Sequence, residues 1–269
     1  MNKDNIKTII LVGPRDFGRC ELATKTCKAL WPFFDTNVIS HLIRRLCEQG
    51  LRDFVVCADS LSNITLDDLD VPQGLCVDLI SDEFPRGSAG CVYDAAGKEN
   101  KNELLILKAD IVTLPDIDEL IRAHRQAQAS MTMVFSGSAG LNTAHHSQGD
   151  IYYCEPDIVN YIPHLGYWDI KEQLIPALVK VSKKVFAYTV EEQILSINGW
   201  QSYLDCVDKL LRDKPEKFVN LSGYEQNQSP GVLINKNANV DPKAKLIPPV
   251  VIGEGVEISQ GAVINGPAV

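Results

Sequence analysis

The feature that most constrains this chain lies near its C-terminus. Ile234, Val240, Leu246, Ile252, Ile258 and Ile264 recur at every sixth position. Ala238, Ala244, Val250, Val256, Ala262 and Ala268 follow them, each four residues later. A six-residue period with one large aliphatic and one small residue predicts hexapeptide repeats of a parallel β-helix. In the left-handed form three hexapeptides make one triangular coil, with the aliphatic residue inside and the small one at the corner. Two complete coils fit between Ile234 and Val269. Repeat architectures usually need about three or more units to bury a core. The open coil therefore packs on the rest of the chain, packs on another subunit, or continues in a longer chain.

The preceding residues follow a different rule. Ile6 to Val12, Phe54 to Ala58, Cys76 to Ile80, Leu104 to Lys108 and Met131 to Phe135 are apolar runs of strand length. Helical patterns alternate with them: Asn37 to Gln49, closed by Gly50, and Asp116 to Ala129. Strands that alternate with helices predict a mostly parallel sheet covered on both faces, with ligands at the C-terminal strand ends. Ile151 to Tyr153 reads as a further strand, and Lys171 to Val181 and Gly199 to Leu211 as helices. The expected organisation is a Rossmann-like α/β domain over 1–211, a polar connector over 212–230, and a short left-handed β-helix over 231–269.

Composition narrows the partners. The net charge of -9 and pI near 5.1 argue against a nucleic-acid backbone or an anionic membrane as the main partner. The N-terminus lacks a signal-peptide pattern, which predicts a cytoplasmic protein. The eight cysteines are scattered without paired spacing, and the five histidines show no metal spacing. Residues 231 to 269 contain no histidine, against an acyltransferase that would draw a base from the β-helix. No G-x-G-x-x-G follows the first strand, against a dinucleotide site.

Four stretches carry a family resemblance. Val12 to Phe33, with Lys28-Ala29-Leu30-Trp31-Pro32, lines up on A-G-G-x-G-T-R-L-x-P-L-T-x-x-x-P-K-x-L-L-P-V. Phe84 to Gly90 looks like an L-G-T-A-G nucleobase loop, and Leu105 to Asp110 like L-x-L-N-G-D. Asp150 to Pro156 is similar to G-I-Y-x-F-x-P. Together with a C-terminal β-helix, these stretches resemble the sugar-1-phosphate nucleotidyltransferases. Such enzymes couple a nucleoside triphosphate to a sugar 1-phosphate with magnesium and release pyrophosphate. The resemblance implies a nucleotidyltransferase-like fold, Lys28 and Asp110 as catalytic residues, and Asp110 as the magnesium ligand. It also implies nucleotide or phosphate contacts from Gly13, Arg15, Arg19, Gly87 and Ser88.

The departures fall on the chemistry-bearing positions. Pro14 and Asp16 stand for glycines, and Gly18 for the arginine. Pro14 removes an amide donor. A carboxylate about 4 Å from a phosphate charge costs about 4 kcal/mol at an effective dielectric of about 20. Arg15 and Arg19 could compensate from a rearranged loop. Ser196 stands at the second metal aspartate, and a hydroxyl is no substitute for a carboxylate on magnesium. The E-K-P sugar segment has no counterpart between Phe135 and Asp150. Two readings follow: a divergent nucleotidyltransferase of weak or lost activity, or a non-catalytic subunit that binds a nucleotide sugar. Either is expected to self-associate or to pair with a paralogous subunit.

Overall fold

The structure is a computed structural model and describes residues 3–13, 25–82, 85–137, 147–213, 223–226 and 231–269. The run Ile6–Leu11 forms strand β1, and its alternation sets the layering. Ile6 and Ile10 join one buried cluster while Ile9 joins the other, as a period of two requires. Downstream come the two-residue strands β2 (Pro32–Phe33) and β3 (Thr36–Asn37). The long strands β4 (Asp53–Asp59), β5 (Cys76–Asp82) and β6 (Glu103–Lys108) follow. Then come β7 (Met131–Ser136), β8 (Ser147–Cys154) and β9 (Val185–Val190). The helices are α1 (Val38–Glu48), α2 (Gly87–Ala96), α3 (Ile117–Ala127), α4 (Ile175–Lys180) and α5 (Trp200–Asp213).

The main sheet has the order β5-β4-β1-β6-β8-β7-β9. It is mostly parallel, as the alternation of elements predicts, except that β8 runs antiparallel to both β6 and β7. The chain between Ser136 and Ser147 is shorter than the dozen or more residues that a parallel crossover needs. The helix ends obey local chemistry. Asn37 accepts a hydrogen bond from Ser40 N at 2.9 Å, and Asp116 one from Glu119 N at 3.0 Å. Gly50 follows α1 with φ +90°, a conformation that favours glycine. Among the described residues no helix is long and apolar enough to cross a membrane.

Three segments differ from expectation. Part of the Phe84–Gly90 stretch, read as a loop, opens α2. Lys171 to Val181 is helical as expected, but its first part, Ile170–Leu174, is π-helical and runs straight into α4. Residues 224–226, inside the expected connector, form strand β10 (Tyr224–Gln226), antiparallel to β11 (Val232–Asn235).

The remaining strands are β12 (Asn239–Val240), β13 (Lys245–Ile247), β14 (Val250–Ile252), β15 (Glu257–Ile258) and β16 (Val263–Asn265). Strand pairs β11–β14, β12–β15 and β13–β16 are parallel, in registers Val232↔Val250, Asn239↔Glu257 and Lys245↔Val263. Each partner thus lies three hexapeptides further along. Ile234, Val240, Leu246, Ile252, Ile258 and Ile264 share one apolar cluster. On β11 and β14 the alternate residues Leu233 and Val251 join Trp31, Val112 and Val207 of the α/β part. Through this face the C-terminal strands pack on the rest of the chain.

Candidate functional site

The sheet topology brings the C-terminal ends of β1 and β6 side by side, and of the expected site residues Gly13 and Asp110 lie there, with Lys28 close by. Val12 N donates to Cys57 O at 2.8 Å, and Ala109 N to Leu11 O at 2.9 Å, which fixes the exit of each strand. Gly13 follows at once and is exposed. Arg15 and Arg19 lie outside the described residues, as do Pro14, Asp16 and Gly18.

Asp110 sits just past β6. Its carbonyl accepts from Ile197 N at 2.8 Å, and Val112 N donates to Leu195 O at 2.8 Å. A bridge between Ile111 and Ser196 completes the stitch. The chain from Gln193 to Asn198 is thereby laid alongside Asp110, with Ser196 beside it as the motif alignment expects. Lys28 reaches the same segment, its ammonium donating to Asn198 O at 3.3 Å. The structure thus brings Lys28 and Asp110 together from residues far apart in sequence.

Gly87 and Ser88 belong to a different arrangement. Gly87 has φ +72°, and a Cβ there would stand 2.3 Å from Trp168 O. That carbonyl accepts from Ala89 N at 2.9 Å and Gly90 N at 3.2 Å, so it caps the N-terminus of α2. Ser88 Oγ donates to Asp169 Oδ2 at 2.8 Å and accepts from Ile170 N at 2.8 Å. The two residues expected to meet a nucleobase here hold the chain's own 168–170 segment.

Sequence reading missed four charges at this edge. Lys108, the last residue of β6, pairs with Asp150 at 2.6 Å, and Lys171 pairs with the other oxygen of Asp150 at 2.5 Å. Asp169 Oδ1 accepts from Lys171 N and Glu172 N. A signal was available. Lys108 stands at the asparagine of L-x-L-N-G-D and Asp150 at the glycine of G-I-Y-x-F-x-P. With Leu107 opposite Ile151 in the antiparallel register, the next pair outward is Lys108 and Asp150. Two opposite charges at cross-strand positions announce a pair.

Burial pushes the Asp110 carboxyl above its usual range, against the pull of Lys108 and Lys28, and the Asp150 charge adds to the rise. Asp150 goes the other way: its two lysines outweigh burial and hold its carboxyl low. A carboxyl raised in the folded state binds its proton more tightly there than in the unfolded chain. Ionised Asp110 therefore costs stability at neutral pH, and that cost disappears as pH falls through the ordinary carboxylate range. Asp110→Asn should raise the urea midpoint at pH 7, with the gain shrinking towards pH ~4. A lower midpoint at pH 7 would contradict this account.

The expectation of magnesium at Asp110 can be set against the donors present. Among the described residues no three His, Cys, Asp or Glu side chains are grouped to hold a metal ion. Magnesium takes carboxylate and water oxygens. Here Ser196 lies beside Asp110 through the Ile111–Ser196 bridge, and the cations that act most strongly on Asp110 are Lys108 and then Lys28. The described donor set does not fit a divalent cation.

Comparison with known proteins agrees with this fold. The sequence model described as nucleotidyl transferase matches residues 7–143, just over half of the chain. A mannose-1-phosphate guanylyltransferase of Mycobacterium tuberculosis is 19% identical over 292 aligned positions, covering 99% of this chain and 80% of that protein. A UTP–glucose-1-phosphate uridylyltransferase of Synechocystis is 31% identical over 120 positions, covering 44% of this chain and 30% of that protein. HddC from Yersinia pseudotuberculosis superposes with a TM-score of 0.60 at 16% identity, covering 76% of this chain and 99% of that one. Its complex with GMP-PN gives 0.61 at the same identity and coverage. With the family model spanning β1 to β7 and reaching Lys28 and Asp110, this chain belongs to the nucleotidyl transferase family.

Proposed function

We propose that this chain is a divergent sugar-1-phosphate nucleotidyltransferase whose turnover is weak or lost. The observation that carries the reading is the edge at Asp110. The fold assembles Lys28, Asp110 and the Gln193–Asn198 segment in one place, yet Ser196 stands for the second metal aspartate and the Lys108 charge acts on Asp110. In this reading Lys28 meets phosphate as a point charge and Asp110 a polar group of the ligand. Gly13 and the arginines Arg15 and Arg19 border the phosphates.

The ligands are a nucleotide or nucleotide sugar and, where turnover persists, a sugar 1-phosphate. The relatives are named for guanylyl and uridylyl transfer, so the base stays open. We read 231–269 as a short left-handed β-helix, after an α/β domain over 1–211 and a connector over 212–230. The three-hexapeptide register supports this, as does the match to the mycobacterial relative over 99% of the chain. Val256, Val263 and Val269 are exposed on the last coil, which supports a homo-oligomer or a paralogous partner. Nucleotide substrates favour a cytoplasmic site of action.

The test is pyrophosphate release over a grid of nucleoside triphosphates and sugar 1-phosphates, with and without magnesium. The mycobacterial guanylyltransferase is assayed alongside. Loss of a preorganised transition-state donor costs about 10²–10³ in rate, so the expected turnover lies at least about a hundredfold below that relative. A rate equal to the relative's sinks the reading. The second reading, a non-catalytic nucleotide-sugar-binding or regulatory subunit, is favoured by the way Gly87 and Ser88 are engaged by the 168–170 segment. It predicts thermal stabilisation by a nucleotide sugar with no pyrophosphate release.

A further inference from the structure

We infer that the phosphate site at this sheet edge takes its positive charge from the Lys108 ammonium, held in place by Asp150, and binds without a divalent cation. The ligand class, a diphosphate, rests on the nucleotidyltransferase reading; the placement of the charge does not. Lys108 and Asp110 are two residues apart at the end of β6, which puts both beside the cleft. Lys108 is the strongest charge acting on Asp110, ahead of Lys28. A dication bound to Asp110 would have to lie beside two ammonium groups, and the repulsion falls off only as distance.

The cross-strand partner explains why Lys108 can sit there. Asp150 is shared between Lys108 at 2.6 Å and Lys171 at 2.5 Å, so the three side chains carry one net positive charge. Their positions are tethered, but neither lysine is consumed. Lys108 remains 46% exposed and Lys171 42% exposed, and an ammonium has three donors. Asp169, the remaining carboxylate, is already engaged by Ser88 and by the amides of Lys171 and Glu172. Two departures from the family motifs, Lys108 and Asp150, thus form one compensated unit. Without Lys108 the Asp150 carboxylate would keep only Lys171, and without Asp150 the two lysines would lose the carboxylate they share.

The experiment uses the full chain and two probes. Inorganic pyrophosphate is titrated calorimetrically in EDTA against the native protein and against Lys108→Met, which keeps the aliphatic stem and removes the charge. Binding in EDTA, weakened at least tenfold in Lys108→Met, is the expected result. No binding in EDTA, or equal binding by a folded Lys108→Met, overturns the inference. The second probe is Mn²⁺, followed by spin resonance with the protein free of other ligands. No stoichiometric uptake is expected, and a bound ion that is lost in Asp110→Asn overturns the inference. The two proposals fail separately. Pyrophosphate bound in EDTA by a chain that binds no nucleotide sugar and shows no turnover would sink the nucleotidyltransferase reading alone. Turnover that requires magnesium would do the reverse.

Discussion

Gly87→Ala should cost about 3 kcal/mol of folding stability, well beyond what alanine costs at an ordinary helix start. Two terms contribute. A side chain at φ +72° is in the left-handed region, a penalty of roughly 1–2 kcal/mol. The added Cβ would stand 2.3 Å from Trp168 O and 2.7 Å from Trp168 C. Those are backbone atoms already fixed by Ala89 N, Gly90 N and the bond from Trp168 N to Arg86 O at 2.8 Å. They cannot move aside cheaply, and overpacking of this kind costs about 1–3 kcal/mol. Gly97 supplies the control. It has φ +80° but nothing within 4 Å of its would-be Cβ. Gly97→Ala at φ +80°, ψ 155° therefore carries the backbone term alone, about 1–3 kcal/mol. Urea denaturation of both variants isolates the steric part as their difference. Equal losses would mean that the Trp168 contact yields without strain. Because the displaced segment carries Lys171, Gly87→Ala should also weaken pyrophosphate binding, whereas Gly97→Ala should not.

That contact also marks a boundary of sequence reading. The strands and helices with a strong period were legible: β1, β4, β6, α1 and α3 lie within a few residues of where hydrophobic spacing puts them. The six aliphatic residues of the six-residue spacing share one apolar cluster, as a regular spacing leads one to expect. What the sequence did not show was the structural constraint on Gly-Ser-Ala-Gly at 87–90. Its motif likeness pointed to a nucleobase loop, whereas the glycine is required by a carbonyl eighty residues away in sequence. A long-range approach of backbone to backbone leaves no local pattern. The antiparallel β8 was hidden differently. Its apolar residues read as strand, but its direction follows from the length of a connection.

At the site the balance is similar. Lys28 and Asp110 were found from motif spacing, and the structure brings them to one edge. The pair Lys108 and Asp150 escaped because each departure was read separately. The sequence shows a lysine for an asparagine and an aspartate for a glycine; only the register of β6 on β8 makes them neighbours. Charge substitutions at motif positions therefore carry information as pairs, and strand order is needed to form the pairs.

Trp31→Ala should cost about 3–5 kcal/mol, the range for emptying a buried tryptophan site. Trp31 is fully buried, in edge contact with Trp200 at 6.2 Å and with Tyr203 at 5.7 Å. Tyr203 Oη donates to Pro32 O at 2.6 Å, so the cluster is also pinned by a hydrogen bond. Trp31→Phe should cost less than half as much. The Trp31 indole N–H has no hydrogen-bond partner among the described residues. Removing a buried, unpartnered donor returns roughly 1–3 kcal/mol against the lost ring area. The cluster matters to the site because it joins both ends of one contact. Trp31 directly follows the turn Lys28–Leu30, and Trp200 opens α5 just after Asn198, whose carbonyl receives Lys28. Emptying the cluster lets the two ends drift, so Trp31→Ala should weaken pyrophosphate binding at least several-fold while Trp31→Phe changes it little. Urea midpoints and calorimetric titration of the two variants decide it. Equal destabilisation would show that the orphan N–H costs nothing. Unchanged binding in a folded Trp31→Ala would show that Lys28 is positioned without help from the aromatic cluster.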